Sequence, residues 1–117
     1  MAILFIGLGG GLGAISRFLL SELSSKYIPL DYPVGTLAVN VIGCFFIGLF
    51  IGNSMPVKDT SYYFFIIGFL GSFTTMSAFT HQTVLMINTN AISAASYIML
   101  TILLTVAATF IGTLISK

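Results

Sequence analysis

Charge is what this sequence has least of: its 117 residues include four lysines or arginines, three aspartates or glutamates and one histidine. A soluble domain carries charge on about a quarter of its residues, because its surface must be hydrated. Charge on 6% of the chain excludes a hydrated surface of that kind. The net charge is +1 and the cations are scattered, so no basic patch forms and nucleic acid is excluded as a partner. The single cysteine, Cys44, allows no intramolecular disulfide and reads as a small packing residue. One histidine, His81, without paired carboxylates or a cluster of metal-ligand side chains, leaves no parts for a membrane enzyme. The first apolar run starts at Ala2 with no basic region before it, so it is expected to be a retained helix rather than a cleaved leader.

What fills the chain instead is apolar: 57% of residues are hydrophobic and the mean hydropathy is +1.10. Lipid must stand where water would otherwise be, which places the protein in the cell membrane as a multi-pass, all-α protein. Three polar breaks divide it. The first, over 25–33, carries Lys26, Pro29, Asp31 and Pro33; the second, over 53–60, carries Pro56, Lys58 and Asp59; the third is short, over 88–90. The apolar segments between them, roughly 2–24, 34–52, 61–87 and 91–116, form one four-helix transmembrane domain. Each reaches the ~20 residues needed to span a bilayer. Four thin helices leave no room for an aqueous pore within one copy, so a transport pathway would involve a second copy.

Arg17 and Lys26 lie toward one face of the membrane, Lys58 and Lys117 toward the other. The positive-inside rule needs an imbalance to fix orientation. A balanced chain could insert both ways, which would permit an antiparallel dimer. If Arg17 is buried and uncounted, a weak bias remains.

The first segment is rich in small residues. Its Gly9-x-Gly11-x-x-Ala14 matches a relaxed dinucleotide fingerprint, with Asp31 at a suitable distance, but no soluble strand–turn–helix unit surrounds it. Small residues at this spacing instead let membrane helices approach closely. Arg17, a cation inside a span, either snorkels to the interface or serves function. On the second segment Thr36 and Asn40 are one turn apart, on one face. Asn40 can donate two hydrogen bonds, either to a ligand or as glue between helices.

The third segment carries two glycines and several hydroxyls from Gly68 to Phe79, where a spanning helix should be continuous. Unbroken over 61–87, it would be about 40 Å long against a hydrocarbon core of about 30 Å. A broken helix accounts for both features. It would free backbone carbonyls, suitable ligands for a hard cation, at mid-membrane; the alternative is a kinked helix whose hydroxyls bond back to its own backbone. The fourth segment repeats a polar residue every four positions: Tyr97, Thr101, Thr105 and Thr109. Such a stripe can donate to a passing anion or bond helix to helix.

In order and spacing, three elements resemble the CrcB/Fluc fluoride channels along essentially the whole chain: Gly10-Gly11-Leu12-Gly13-Ala14-Ile15-Ser16-Arg17-Phe18, Gly35-Thr36-Leu37-Ala38-Val39-Asn40, and Gly68 to Phe79. The resemblance implies an antiparallel, dual-topology dimer that passively exports fluoride from the cytoplasm and relieves its toxicity. It also implies a structural sodium ion at the dimer centre, held by carbonyls of the broken helix; the matching positions are Gly71 and Thr74. The family's helix-two asparagine falls on Asn40 and its helix-one arginine on Arg17. The pore phenylalanines of its Thr-Phe-Ser-Thr-Phe motif fall on Met76 and Phe79. With the hydroxyl residues Thr36, Tyr97, Thr101 and Thr105, these form the expected pore set.

Three positions depart from the pattern. Met76 replaces the first phenylalanine, Ala78 the motif's threonine, and Gln82 stands where a glutamate is expected. A thioether has no aromatic edge. Either the methionine is tolerated, or the chain pairs with a paralogous subunit and is itself a non-conducting partner. A different class, the small proton-coupled multidrug antiporters, shares size and architecture but needs a carboxylate deep in the first helix. Here the only carboxylate within a span is Glu22, near a helix end.

Overall fold

Apolar runs free of proline wind into long helices in the computed structural model, which describes residues 1–27, 33–52 and 58–116. The helices are α1 (Ala2–Tyr27), α2 (Val34–Ile51), α3 (Tyr62–Leu70), α4 (Gly71–Phe73), α5 (Met76–Thr89) and α6 (Ala91–Ile115). No strand occurs among the described residues. Among the described residues, four spans are long and apolar enough to cross a membrane: Ala2–Ser24, Val34–Ile51, Tyr62–Thr89 and Ala91–Ile115. Of the residues expected in the polar breaks, Pro29, Asp31 and Pro56 lie outside the described residues, as does Lys117.

The third span is three pieces. Tyr62–Leu70 is wound as a π-helix, a form usually confined to single turns at functional sites. One short turn, α4, succeeds it. The chain then leaves helical geometry at Thr74 (ψ 153°) and Thr75 (φ −146°, ψ 119°) before α5 begins at Met76. The break is therefore an extended two-residue step, not a kink. Thr75 caps α5, its Oγ1 accepting from Ala78 N–H at 3.2 Å. The third and fourth spans form a hairpin about Asn90, whose Oδ1 accepts from the N–H groups of Ile92 (3.1 Å) and Ser93 (3.2 Å) at the start of α6.

Small residues set the packing. The broadest contacts are α2 on α6 and α1 on α3. A Cβ at Gly9 would collide with the Phe64 carbonyl, and one at Gly13 with the Phe69 carbonyl. Gly9 and Gly13 thus serve close helix approach, whereas Gly7 and Gly11 face open space. Gly48 and Gly112 do the same between α2 and α6, each lying against the opposing backbone. The interior is thin: Met86, Ala94 and Tyr97 form a buried cluster against Leu37 and Phe79. Large apolar side chains such as Ile3, Phe18 and Leu103 point outward. That inversion suits a lipid surround, where apolar surface carries no cost.

Candidate ion-binding site at the helix break

The break lies over α2 because Gly43 admits it: a Cβ there would collide with Thr74 Cγ2. One turn earlier, Asn40 points at the same stretch with both ends of its amide. Its Oδ1 accepts from Thr75 N–H at 2.7 Å and its Nδ2 donates to the Thr75 carbonyl at 3.1 Å. The Thr75 N–H and carbonyl are thereby satisfied by a side chain instead of by water, as a membrane interior demands. One Nδ2 hydrogen remains for another acceptor. From α1, Arg17 Nε donates to the Ser72 carbonyl at 3.1 Å. Arg17 is partly buried and bonds to the break rather than only snorkelling to an interface.

These bonds divert the donors an unbroken helix would use. Thr75 N–H, the helical partner of the Gly71 carbonyl, goes to Asn40. Ala78 N–H, the partner of the Thr74 carbonyl, goes to Thr75 Oγ1. Gly71 and Thr74 are thus left with carbonyls that have lost their helical donors. Thr74 itself bonds back, its N–H and Oγ1 both donating to the Leu70 carbonyl at 3.1 and 3.0 Å.

Beside the break is a cavity of about 270 Å³ between α2, α5 and α6. Its polar wall is Asn40, Thr74, Thr75, Thr101 and Thr105; its remaining wall is Cys44, Met76, Phe79 and Ile102. None of these residues is charged. The space is large enough for an ion with several waters. Thr101 is 8% exposed, and its Oγ1 is the one buried side-chain polar atom among the described residues without a hydrogen-bond partner. Leaving such a hydroxyl unpaired costs about 1–3 kcal/mol. The α5 N-terminus opens onto the same space at Met76, bringing the positive end of its dipole.

The residues expected in the pore separate into groups here. Asn40, Met76, Phe79, Thr101 and Thr105 share the cavity. Thr36 is buried on α2 outside its wall. Tyr97 is fully buried behind Phe79, ring centroids 5.2 Å apart, and its hydroxyl donates to Gln82 Oε1 at 3.3 Å. The α6 stripe also divides. Thr105 Oγ1 bonds back to the Thr101 carbonyl, while Thr109 Oγ1 bonds to the Cys44 carbonyl across to α2 at 3.1 Å and to its own helix. Residue spacing did not point to Thr75, Cys44 or Ile102 as wall residues. Cys44 lies four residues after Asn40, and that helical offset was the available signal.

Four spanning helices, one broken beside an uncharged and partly polar cavity, define a multi-pass membrane protein. The chain belongs to the CrcB-like family (CrcB-like protein, Camphor Resistance), whose profile matches residues 4–113. It is 38% identical to the fluoride-specific ion channel FluC of Flavobacterium psychrophilum, covering 98% of this chain and 96% of that one. With FluC of Nitratiruptor sp. it shares 41% identity, over 96% and 89% of the two chains. With FluC of Campylobacter lari the identity is 42%, over 98% and 97%. These relatives are named as ion channels, in keeping with a sequence that lacks the parts of an enzyme.

Proposed function

We propose that this chain is a subunit of a fluoride-specific channel in the cell membrane, giving fluoride a passive route out of the cytoplasm. The observation that carries this reading is Thr101 Oγ1: a buried, unpartnered hydroxyl in the wall of an uncharged cavity. Fluoride is small and strongly hydrated, so replacing its water calls for close, hard donors. Thr101 and the remaining Asn40 N–H are such donors, and the edge of the Phe79 ring adds a weaker electropositive contact. A fixed cation in the wall would hold the ion in place, and the wall has none. The α5 N-terminus supplies a diffuse positive potential instead.

A second copy of the chain completes the pathway in this account. Met76 is 70% exposed and Ile102 52% exposed in the single chain, so the cavity wall reaches the outer surface, where another subunit would close it. The near balance of lysine and arginine between the two membrane faces supports an antiparallel, dual-topology pair. The freed carbonyls of Gly71 and Thr74 suit a hard monovalent cation. They would hold a structural sodium ion at the dimer centre, where its charge would favour anions nearby.

Met76 favours a second reading, in which this chain pairs with a related subunit that supplies an aromatic ring at this position. Growth of bacteria lacking their own fluoride exporter tests both. Expression of the chain is expected to restore growth on fluoride, and Thr101→Val, present at equal membrane level, to fail. Continued sensitivity would overturn the homodimer, and rescue only on co-expression of a paralogous subunit would favour the second reading.

A further inference from the structure

Cys44 and Met76 place two sulfur-bearing side chains in the wall of one cavity, on different spans and 32 positions apart in sequence. Cys44 is on α2, one turn beyond Asn40, and is a free, half-buried thiol. Thr109 Oγ1 donates to its carbonyl and fixes that turn of α2 against α6. Met76 opens α5 across the break. The same cavity contains the unpartnered, buried Thr101 hydroxyl, which independently marks it as a place with an unmet demand for a ligand. No carboxylate or imidazole shares the wall to attract a hard or borderline metal. Thiolate and thioether are soft donors that select soft d10 cations, which also accept low coordination numbers.

We propose that this cavity captures a soft, thiophilic metal cation such as silver(I), anchored by Cys44 with Met76 as the second donor, and that capture plugs the anion route. On binding, the Cys44 S–H bond gives way to a sulfur–silver bond and the proton passes to water. No electron transfer is involved. The metal site stands on the two sulfurs and the unpartnered Thr101 hydroxyl in one cavity wall, whereas the block rests on the proposed pathway.

The test uses the full chain and silver nitrate in chloride-free buffer, with three readouts: silver bound per chain, protection of Cys44 from a membrane-permeant maleimide, and fluoride release from liposomes relative to each variant's own silver-free rate. About one silver per chain is expected, with Cys44 protected and release suppressed. Cys44→Ser should lose the bound silver and the block together. The volume-conserving Met76→Leu should raise the silver concentration needed about tenfold. Absence of bound silver, an unprotected Cys44, or unchanged binding in Cys44→Ser would overturn the site, and an unshifted Met76→Leu would overturn the two-sulfur arrangement. Stoichiometric, Cys44-dependent silver without suppression of an existing fluoride flux would leave the site standing and contradict the pathway.

Discussion

Asn40 and Thr75 bracket each other: the amide of one accepts the N–H and donates to the carbonyl of the other, at 2.7 and 3.1 Å. The residues are 35 apart in sequence, and this pair joins the second span to the gap in the third. A side chain thereby takes the place of two helical backbone bonds at a depth where water cannot. The bracket diverts the Thr75 N–H from the Gly71 carbonyl, and it fixes the wall of the adjacent cavity. One amide thus shapes both halves of the proposed site.

An Asn40→Asp change keeps the acceptor for Thr75 N–H but turns a carboxylate oxygen toward the Thr75 carbonyl. Losing the bond and setting two acceptors face to face should cost about 1–3 kcal/mol of stability. The added negative charge should reduce fluoride release by more than about tenfold, since each 1.4 kcal/mol of barrier is a factor of about ten. Thermal unfolding in detergent and a fluoride electrode read the two effects. Unchanged release would remove Asn40 from the anion's path.

Thr101→Val separates stability from function by sign. It removes a buried hydroxyl with no partner while keeping the side-chain shape, so the fold should be unchanged or gain about 1 kcal/mol. Fluoride release should fall, because the same hydroxyl is the free donor in the wall. A variant that loses stability together with flux would show that Thr101 has a structural partner.

Glycines on the two faces of the bundle should respond differently. Gly43→Ala drives a methyl into Thr74 Cγ2 and displaces the break, so release is expected to drop and the melting temperature with it. Nothing lies within 4 Å of a Cβ at Gly7, and Gly7→Ala should leave the melting temperature of the chain unchanged or slightly raised. Circular dichroism melts of the two variants side by side make the comparison.

Met76→Phe places an aromatic edge where the thioether stands. If the methionine weakens one step of anion passage, release should rise. Met76→Ala, which enlarges the cavity without adding a donor, should not raise it. Equal rates for methionine and phenylalanine would mean that this position is not rate-limiting.

The sequence readily disclosed whatever depends on local chemistry. Four spans came from the near absence of charge, and a break in the third from glycines and hydroxyls where a helix should continue. The small residues of α1 were legible as packing positions because a soluble nucleotide site had no place in such a chain, but Gly9 and Gly13 lie against the α3 backbone, while Gly7 and Gly11 face open space. Which polar groups bond across spans and which bond back to their own helix was not legible, since that depends on how the spans meet. Spacing put Thr101, Thr105 and Thr109 on one stripe, yet Thr105 bonds to its own helix, Thr109 reaches across to the Cys44 carbonyl, and only Thr101 is left unpaired. Arg17 could not be assigned from its position alone, because its target, the Ser72 carbonyl, exists as an acceptor only once the helix is broken. Cys44 read as a packing residue, and its place in the same cavity wall as Met76 depends on two different spans meeting.

The most direct test of the central claim is anion release from liposomes containing this chain alone, with fluoride and chloride gradients measured separately in sodium buffer. A fluoride channel with a central sodium ion gives passive fluoride release, little chloride release, and slower fluoride release when a large organic cation replaces sodium throughout. No fluoride release, or chloride release at a comparable rate, would contradict it.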